Sequence, residues 1–202
     1  MIIQELRIGF LALLVLISCS HTNAQDVSLQ GWTFSIATGE PILLQKAREG
    51  APSISLKQNT SFGLNYLRRV NNKTYLETGV AFTNGKIAVT SAPHPDIPSN
   101  DDSYNLQMIN VPLFVRANIG RHFFINGGLL ADIDVSSKPY ISRQSGLGSG
   151  LSFGGQISLS EKVTLSLAPY LQVHNLLSWK AREHAQHVAE AGFRLGFNIW
   201  KN

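Results

Sequence analysis

The run from Asn105 to Asp134, NLQMINVPLFVRANIGRHFFINGGLLADID, restricts the fold more than any other stretch of the chain. Its apolar and non-apolar positions alternate. Ile109, Val111, Leu113, Val115, Ala117 and Ile119 share one face, and Asn110, Pro112, Phe114, Arg116 and Asn118 share the other. After a tight turn at Gly120-Arg121-His122 the pattern resumes. Phe123, Ile125, Leu129, Ala131 and Ile133 then oppose Asn126, Gly128, Leu130, Asp132 and Asp134. A period of two is that of a β-strand, whose successive side chains point to opposite faces. The hairpin therefore has one greasy face and one that carries Arg116, Asp132 and Asp134. Which of the two looks outward decides the class of protein.

The same period recurs over 28–38, 60–69, 74–83, 150–159, 163–173 and 189–200, which with the hairpin makes eight expected strands. Trp32, Phe34 and Ile36 share a face in the first, and Phe193, Leu195, Phe197 and Ile199 in the last. The connections alternate in length. Segments 39–58, 84–104, 136–149 and 174–188 are long, and those at 70–73, 120–122 and 160–162 are short. Gly-Glu-Pro and Gly-Ala-Pro read as breakers in the first long segment, and Pro93, Pro95 and Pro98 punctuate the second. An even set of antiparallel strands, with short turns at one rim and long loops at the other, predicts an all-β fold, an eight-stranded antiparallel up-and-down transmembrane β-barrel. Pro112 and Pro169 resist that assignment, because a closed barrel has no free edge to accommodate a missing N–H.

Composition settles the face. Charged residues make up 15% of the chain and hydrophobic ones 44%, whereas about a quarter of an ordinary soluble chain is charged. The non-apolar face is rich in Gly, Ala, Ser, Thr and Asn, which suit a narrow lumen filled by side chains. The greasy face then looks toward lipid. A soluble or lipid-anchored lipocalin-like barrel, with the greasy face inside around a ligand, is the rival architecture. Lys and Arg form no single block, so no nucleic-acid footprint is expected.

The N-terminus reads as an export signal, with Arg7 before the ten-residue apolar core 8–17, too short to span a bilayer. Thr22-Asn23-Ala24 predicts cleavage before Gln25, so that 1–24 is a signal peptide and 25–202 the barrel domain. Leu16-Ile17-Ser18-Cys19 offers a competing lipobox in which Cys19 is lipidated. Cys19 is the single cysteine, so cleavage after Ala24 leaves no thiol for disulfide or nucleophile chemistry. The expected location is the Gram-negative outer membrane, with both termini periplasmic. The expected partners are its lipids and a protein met through the long loops, for a monomeric barrel.

Glu77, Arg116, Asp132 and Arg194 fall on the lumen face, with Asp134 near the loop rim. Buried charges need partners, so these four are expected to form a network that plugs the barrel, through Glu77–Arg116, Asp132–Arg116, and Arg194 reaching across. No catalytic, cofactor or metal site is expected. His184 and His187, spaced i, i+3, and His174 read as parts of a polar loop. A lipid-modifying enzyme of the outer membrane needs a His and a Ser together near the lipid boundary; His174 and Ser178 lie four apart in that loop and do not supply one. Trp179, Trp200, Tyr104 and Tyr140, near strand ends, are expected to form aromatic girdles.

Three stretches resemble a known family. Tyr75–Phe82 (YLETGVAF), Ile109–Arg116 (INVPLFVR) and Phe123–Gly128 (FFINGG) are similar to the "L-x-T-G-L-x-Y", "I-P-L-L-L-K" and "F-F-x-x-G-G" segments of the PorT-like outer-membrane β-barrel family of Bacteroidota. The resemblance implies the same barrel fold and makes Pro112 a family trait. The naming member is linked to protein secretion and gliding machinery, while most relatives have no assigned activity. It therefore implies a structural or interaction role in the cell envelope and no particular pathway.

Overall fold

A computed structural model describes residues 30–44, 53–90, 101–137, 141–179 and 186–201. Nine strands run through them: β1 (Gln30–Leu44), β2 (Ser53–Leu56), β3 (Asn59–Arg69), β4 (Thr74–Thr90), β5 (Asp101–Ile119), β6 (Phe123–Asp134), β7 (Gly146–Ser158), β8 (Val163–Ser178) and β9 (His187–Lys201). All pairings are antiparallel, and β1 meets both β3 and β9, which closes the sheet into a ring. β2 adds no stave. Leu56 faces Ile87 and Thr60 faces Asn84, so four steps along β2–β3 match three along β4. The surplus residue is a bulge, and β2 with β3 forms one stave. The molecule is a closed eight-staved barrel, with the turns at 70–73, 120–122 and 159–162 on one rim.

The greasy face looks out. Trp32, Phe34, Phe62, Val80, Val115, Ile125, Leu151, Leu167 and Phe197 are among the exposed large hydrophobics, and they belong to every stave. A continuous apolar belt of this kind suits lipid and not water. Inside stand Thr33, Asn65, Asn110, Asn126, Ser152, Ser166 and Asn198, all buried.

Both awkward prolines stand at gaps in a ladder. Thr78 pairs with Leu113 and the next β4–β5 pair is Ala81 with Asn110, so Pro112 is skipped on that side while it pairs with Leu130 on β6. Pro169 is skipped by β7 between Ser152–Tyr170 and Gly155–Leu167, and pairs with Phe193 on β9. In each case the missing N–H falls where one neighbour has let go. Pro41, expected to break the chain, lies inside β1 above Gly39, where β1 pairs with β9 alone.

The strands run further than the sequence pattern predicts. β4 continues to Thr90 and β5 starts at Asp101, so much of the expected loop 84–104 is sheet. There the polarity inverts. Asn84, Lys86, Ser103 and Asn105 are exposed, while Ile87, Val89, Leu106 and Met108 are buried inside. With Ile141 and Val188 they form an apolar cluster, flanked by Leu43, Leu56 and Tyr104, that fills the long-loop end of the barrel. Beyond the lipid belt the barrel is built like a water-soluble one, apolar inside and polar outside.

A candidate functional site in the barrel lumen

Beneath the apolar plug lies a polar layer centred on His174. The imidazole is 1% exposed and lies between Asp132 at 0% and Glu190 at 3%. Nδ1 is 3.1 Å from Asp132 Oδ2; an ionised carboxylate only accepts, so Nδ1 carries the proton. Nε2 lies 3.9 Å from Glu190 Oε2. The second oxygen of Asp132 accepts from Asn110 Nδ2 at 2.7 Å, and Asn110 Oδ1 accepts from Thr83 Oγ1 at 2.7 Å. Glu190 accepts from Asn59 Nδ2 at 3.0 Å and from the Tyr170 hydroxyl. One layer thus ties six of the eight staves together.

His174 continues the inward parity of Thr164, Ser166, Ala168 and Tyr170 along β8, and a bulge turns the next residue, Asn175, inward as well. Ser149 pairs with Val173, but Leu147 pairs with Leu177, so β8 carries two extra residues there. Asn175 takes φ 57°, a left-handed conformation that Asn tolerates better than most residues. His174 and Asn175, adjacent in sequence, are therefore both buried. Gly148 makes room. A Cβ on it would lie 2.4 Å from Val173 O and 2.8 Å from Asp132 Oδ2. The 174–188 loop of the sequence reading is therefore corrected: its first residues belong to β8. His187 is half-buried, with Nδ1 2.7 Å from Asn175 O; His184 lies outside the described residues. Ser178 Oγ donates to Asn175 Oδ1 at 2.7 Å and so is engaged away from His174.

A second layer lies toward the short-turn rim. Glu77 accepts from Asn65 Nδ2 on one oxygen and Asn126 Nδ2 on the other, each at 2.7 Å. The Arg116 guanidinium lies 3.8 Å from the centroid of the Phe124 ring and donates to Gln156 Oε1 at 2.6 Å. Between the layers, Arg194 lies 4.9 Å from the Tyr170 ring centroid. Two small cavities flank Arg194, one lined by Ser61, Asn110 and Phe114 and the other by Glu77, Arg116 and Asn126. Each has room for about one water and for no larger ligand.

The four expected charges therefore all face the lumen, and Glu77 and Arg116 line one cavity, but their hydrogen-bond and ring contacts are made with other groups. Among the described residues no ion pair joins any two of them; both ion pairs are made by His174. Asparagines already occupy both oxygens of Glu77. Asp132 sits opposite Asn110, six residues up β5 from Arg116, or about 20 Å at strand rise. Arg194 packs on an aromatic face instead of a carboxylate. His174, Glu190 and Tyr170 were missed as partners, although Glu190, Gly192, Arg194 and Tyr170 keep the inward parity of their strands.

The remaining sequence candidates separate. Asp134 holds the loop above it, with Oδ1 accepting from Ser136 N–H and Oδ2 from Gln144 N–H, both at 2.9 Å. Trp200 and Tyr104 do not join an outer girdle. Trp200 packs inside against Tyr75, with ring centroids 5.4 Å apart and the planes tilted by 52°, and donates from Nε1 to Thr164 Oγ1 at 3.0 Å, and Tyr104 packs against the plug. Trp179 is exposed; Tyr140, like Cys19 and Ala24, lies outside the described residues. No group of three or more His, Cys, Asp or Glu side chains among the described residues is placed to hold a metal.

No protein-family model matches this chain, and no curated protein matches it in sequence. Solved structures do. The outer membrane protein AlkL in DMPC lipid bilayers superposes with a TM-score of 0.53 at 10% identity, covering 91% of this chain and 96% of its own. The outer membrane protein OprG of Pseudomonas aeruginosa gives 0.52 at 15% identity, covering 86% and 96%. The fold is that of a small outer-membrane β-barrel. At these identities the likeness extends to the fold and no further.

Proposed function

We propose that this chain is a monomeric, non-conducting barrel of the Gram-negative outer membrane, whose long-loop rim serves as an interaction surface for an envelope partner. One observation carries the reading: the lumen is sealed several times over. Among the described residues the apolar plug, the His174 layer and the Glu77–Arg116 layer cross the lumen, and the two cavities beside Arg194 are each about the size of one water. A sealed lumen leaves the rims and the lipid-facing wall as the surfaces available for work. The short-turn rim carries both Gln30 and Lys201, which fits termini in the periplasm. An accessory role beside a secretion or surface-adhesion complex is the finer form of this reading, and it draws on the PorT-like motifs.

Membrane fractionation with heat-modifiable gel mobility tests residence; a fully soluble chain overturns it. Planar-bilayer recording tests the seal, and stable single-channel steps would exclude it. Crosslinking in intact cells from cysteines placed at Ser103 and Arg143 tests the partner surface, with a discrete adduct expected. An enzymatic role has less support. The His174 ring is buried in the lumen and bonded to Asp132, away from the lipid boundary where a lipid-modifying centre must work.

A further inference from the structure

We propose that the outer wall of β3, β1 and β9 at the short-turn rim holds the phosphate of an anionic phospholipid headgroup. Register sets out the site. Tyr66, Trp32 and Ile199 stand opposite one another across the three strands, and two residues nearer the rim stand Arg68, Gln30 and Lys201. Period two turns both rows outward. Arg68 and Lys201 are exposed and flank β1, so their backbones lie two strand spacings, about 10 Å, apart. Long side chains converge easily over that distance on one phosphate.

The row above places the site at headgroup depth. Trp32 and Tyr66 pack with ring centroids 5.2 Å apart at 58°. Outward aromatics of this kind mark the interface of transmembrane barrels. Phe34 and Leu64 continue the apolar wall beyond them and offer the surface for acyl chains.

Charge selects an anionic occupant. Among the described residues neither Arg68 nor Lys201 has a carboxylate within ion-pair distance. The neighbouring Arg69 differs, since it is folded back on its own turn through Asn71 O at 3.2 Å and Asn72 Oδ1 at 2.7 Å. Arg68 brings a planar set of donors matched to phosphate oxygens, and Lys201 a compact charge.

The inference rests on reading the barrel as lipid-embedded, which heat-modifiable mobility checks separately. The test is native mass spectrometry of the full chain released from micelles, titrated with phosphatidylglycerol or with phosphatidylcholine of the same acyl chains. The expected result is preferential retention of phosphatidylglycerol by about tenfold. Arg68→Gln with Lys201→Gln should abolish the preference in a barrel that still shows heat-modifiable mobility. Lys201→Gln alone, at the end of the last strand, should reduce it about threefold. Lys57→Gln with Lys86→Gln, toward the opposite rim, should leave it unchanged. Equal retention of the two lipids overturns the proposal, as does a preference that survives the Arg68/Lys201 pair or disappears with the Lys57/Lys86 pair.

Discussion

His174 offers both ring nitrogens to carboxylates carried by two other strands, Asp132 on β6 and Glu190 on β9. Its removal leaves two buried acids with no cation between them. His174→Ala should therefore cost about 3–5 kcal/mol, read as a lower urea midpoint of the barrel refolded in lipid. His174→Gln should recover part of the loss, because an amide can still donate to Asp132; an unchanged midpoint in both variants would refute the role. Gly148→Ala tests the space behind the ring. The new Cβ meets Val173 O and Asp132 Oδ2, and overpacking of this kind costs about 1–3 kcal/mol. The inward side of Asp132, Glu190 and Arg194 was legible from parity alone. The pairing was not, because parity gives the face and not the height of partners carried on distant strands, and the strand pattern was read only to Val173, one residue short of His174.

At the level of the strand, each proline occupies a gap in one ladder. Pro112→Ala should then shift stability by less than about 1 kcal/mol, since no partner on β4 awaits its N–H. Ala81→Pro is the contrast. Ala81 is paired with both Gly63 and Asn110, and a proline there should cost about 3 kcal/mol or more and lower the yield of heat-modifiable barrel. The missed strand ends have one physical cause. Within the lipid belt, apolar residues point out; beyond it, at Ile87, Val89, Leu106 and Met108, they point in. A single rule for the greasy face reads the second region as loop, because the phase reverses at the membrane boundary. β2 escaped for a related reason, since a bulge separates four residues from the stave they continue.

The whole barrel is sealed by independent layers, and that separates stability from permeability. Met108→Ala should lower the unfolding midpoint by about 2–5 kcal/mol through loss of plug packing. The same variant should show no channel in a planar bilayer, because the two polar layers below still obstruct the lumen. Conductance on loss of Met108 alone would show that the plug is the sole barrier. Eight strands and a closed ring were legible from the rhythm of the chain, whereas the layered lumen depends on contacts between distant strands. Asn59 meets Glu190 across 131 positions and Thr33 meets Asn198 across 165. That spacing has a consequence for biogenesis. Glu190, Arg194 and Asn198 all stand on β9, the last of the described strands in chain order. Until it docks on β1, His174 has one carboxylate partner, Asn59 lacks its acceptor and Thr33 lacks Asn198. The interior is thus complete only once β9 is seated between β8 and β1, so the strand that closes the ring also supplies the last polar partners inside it.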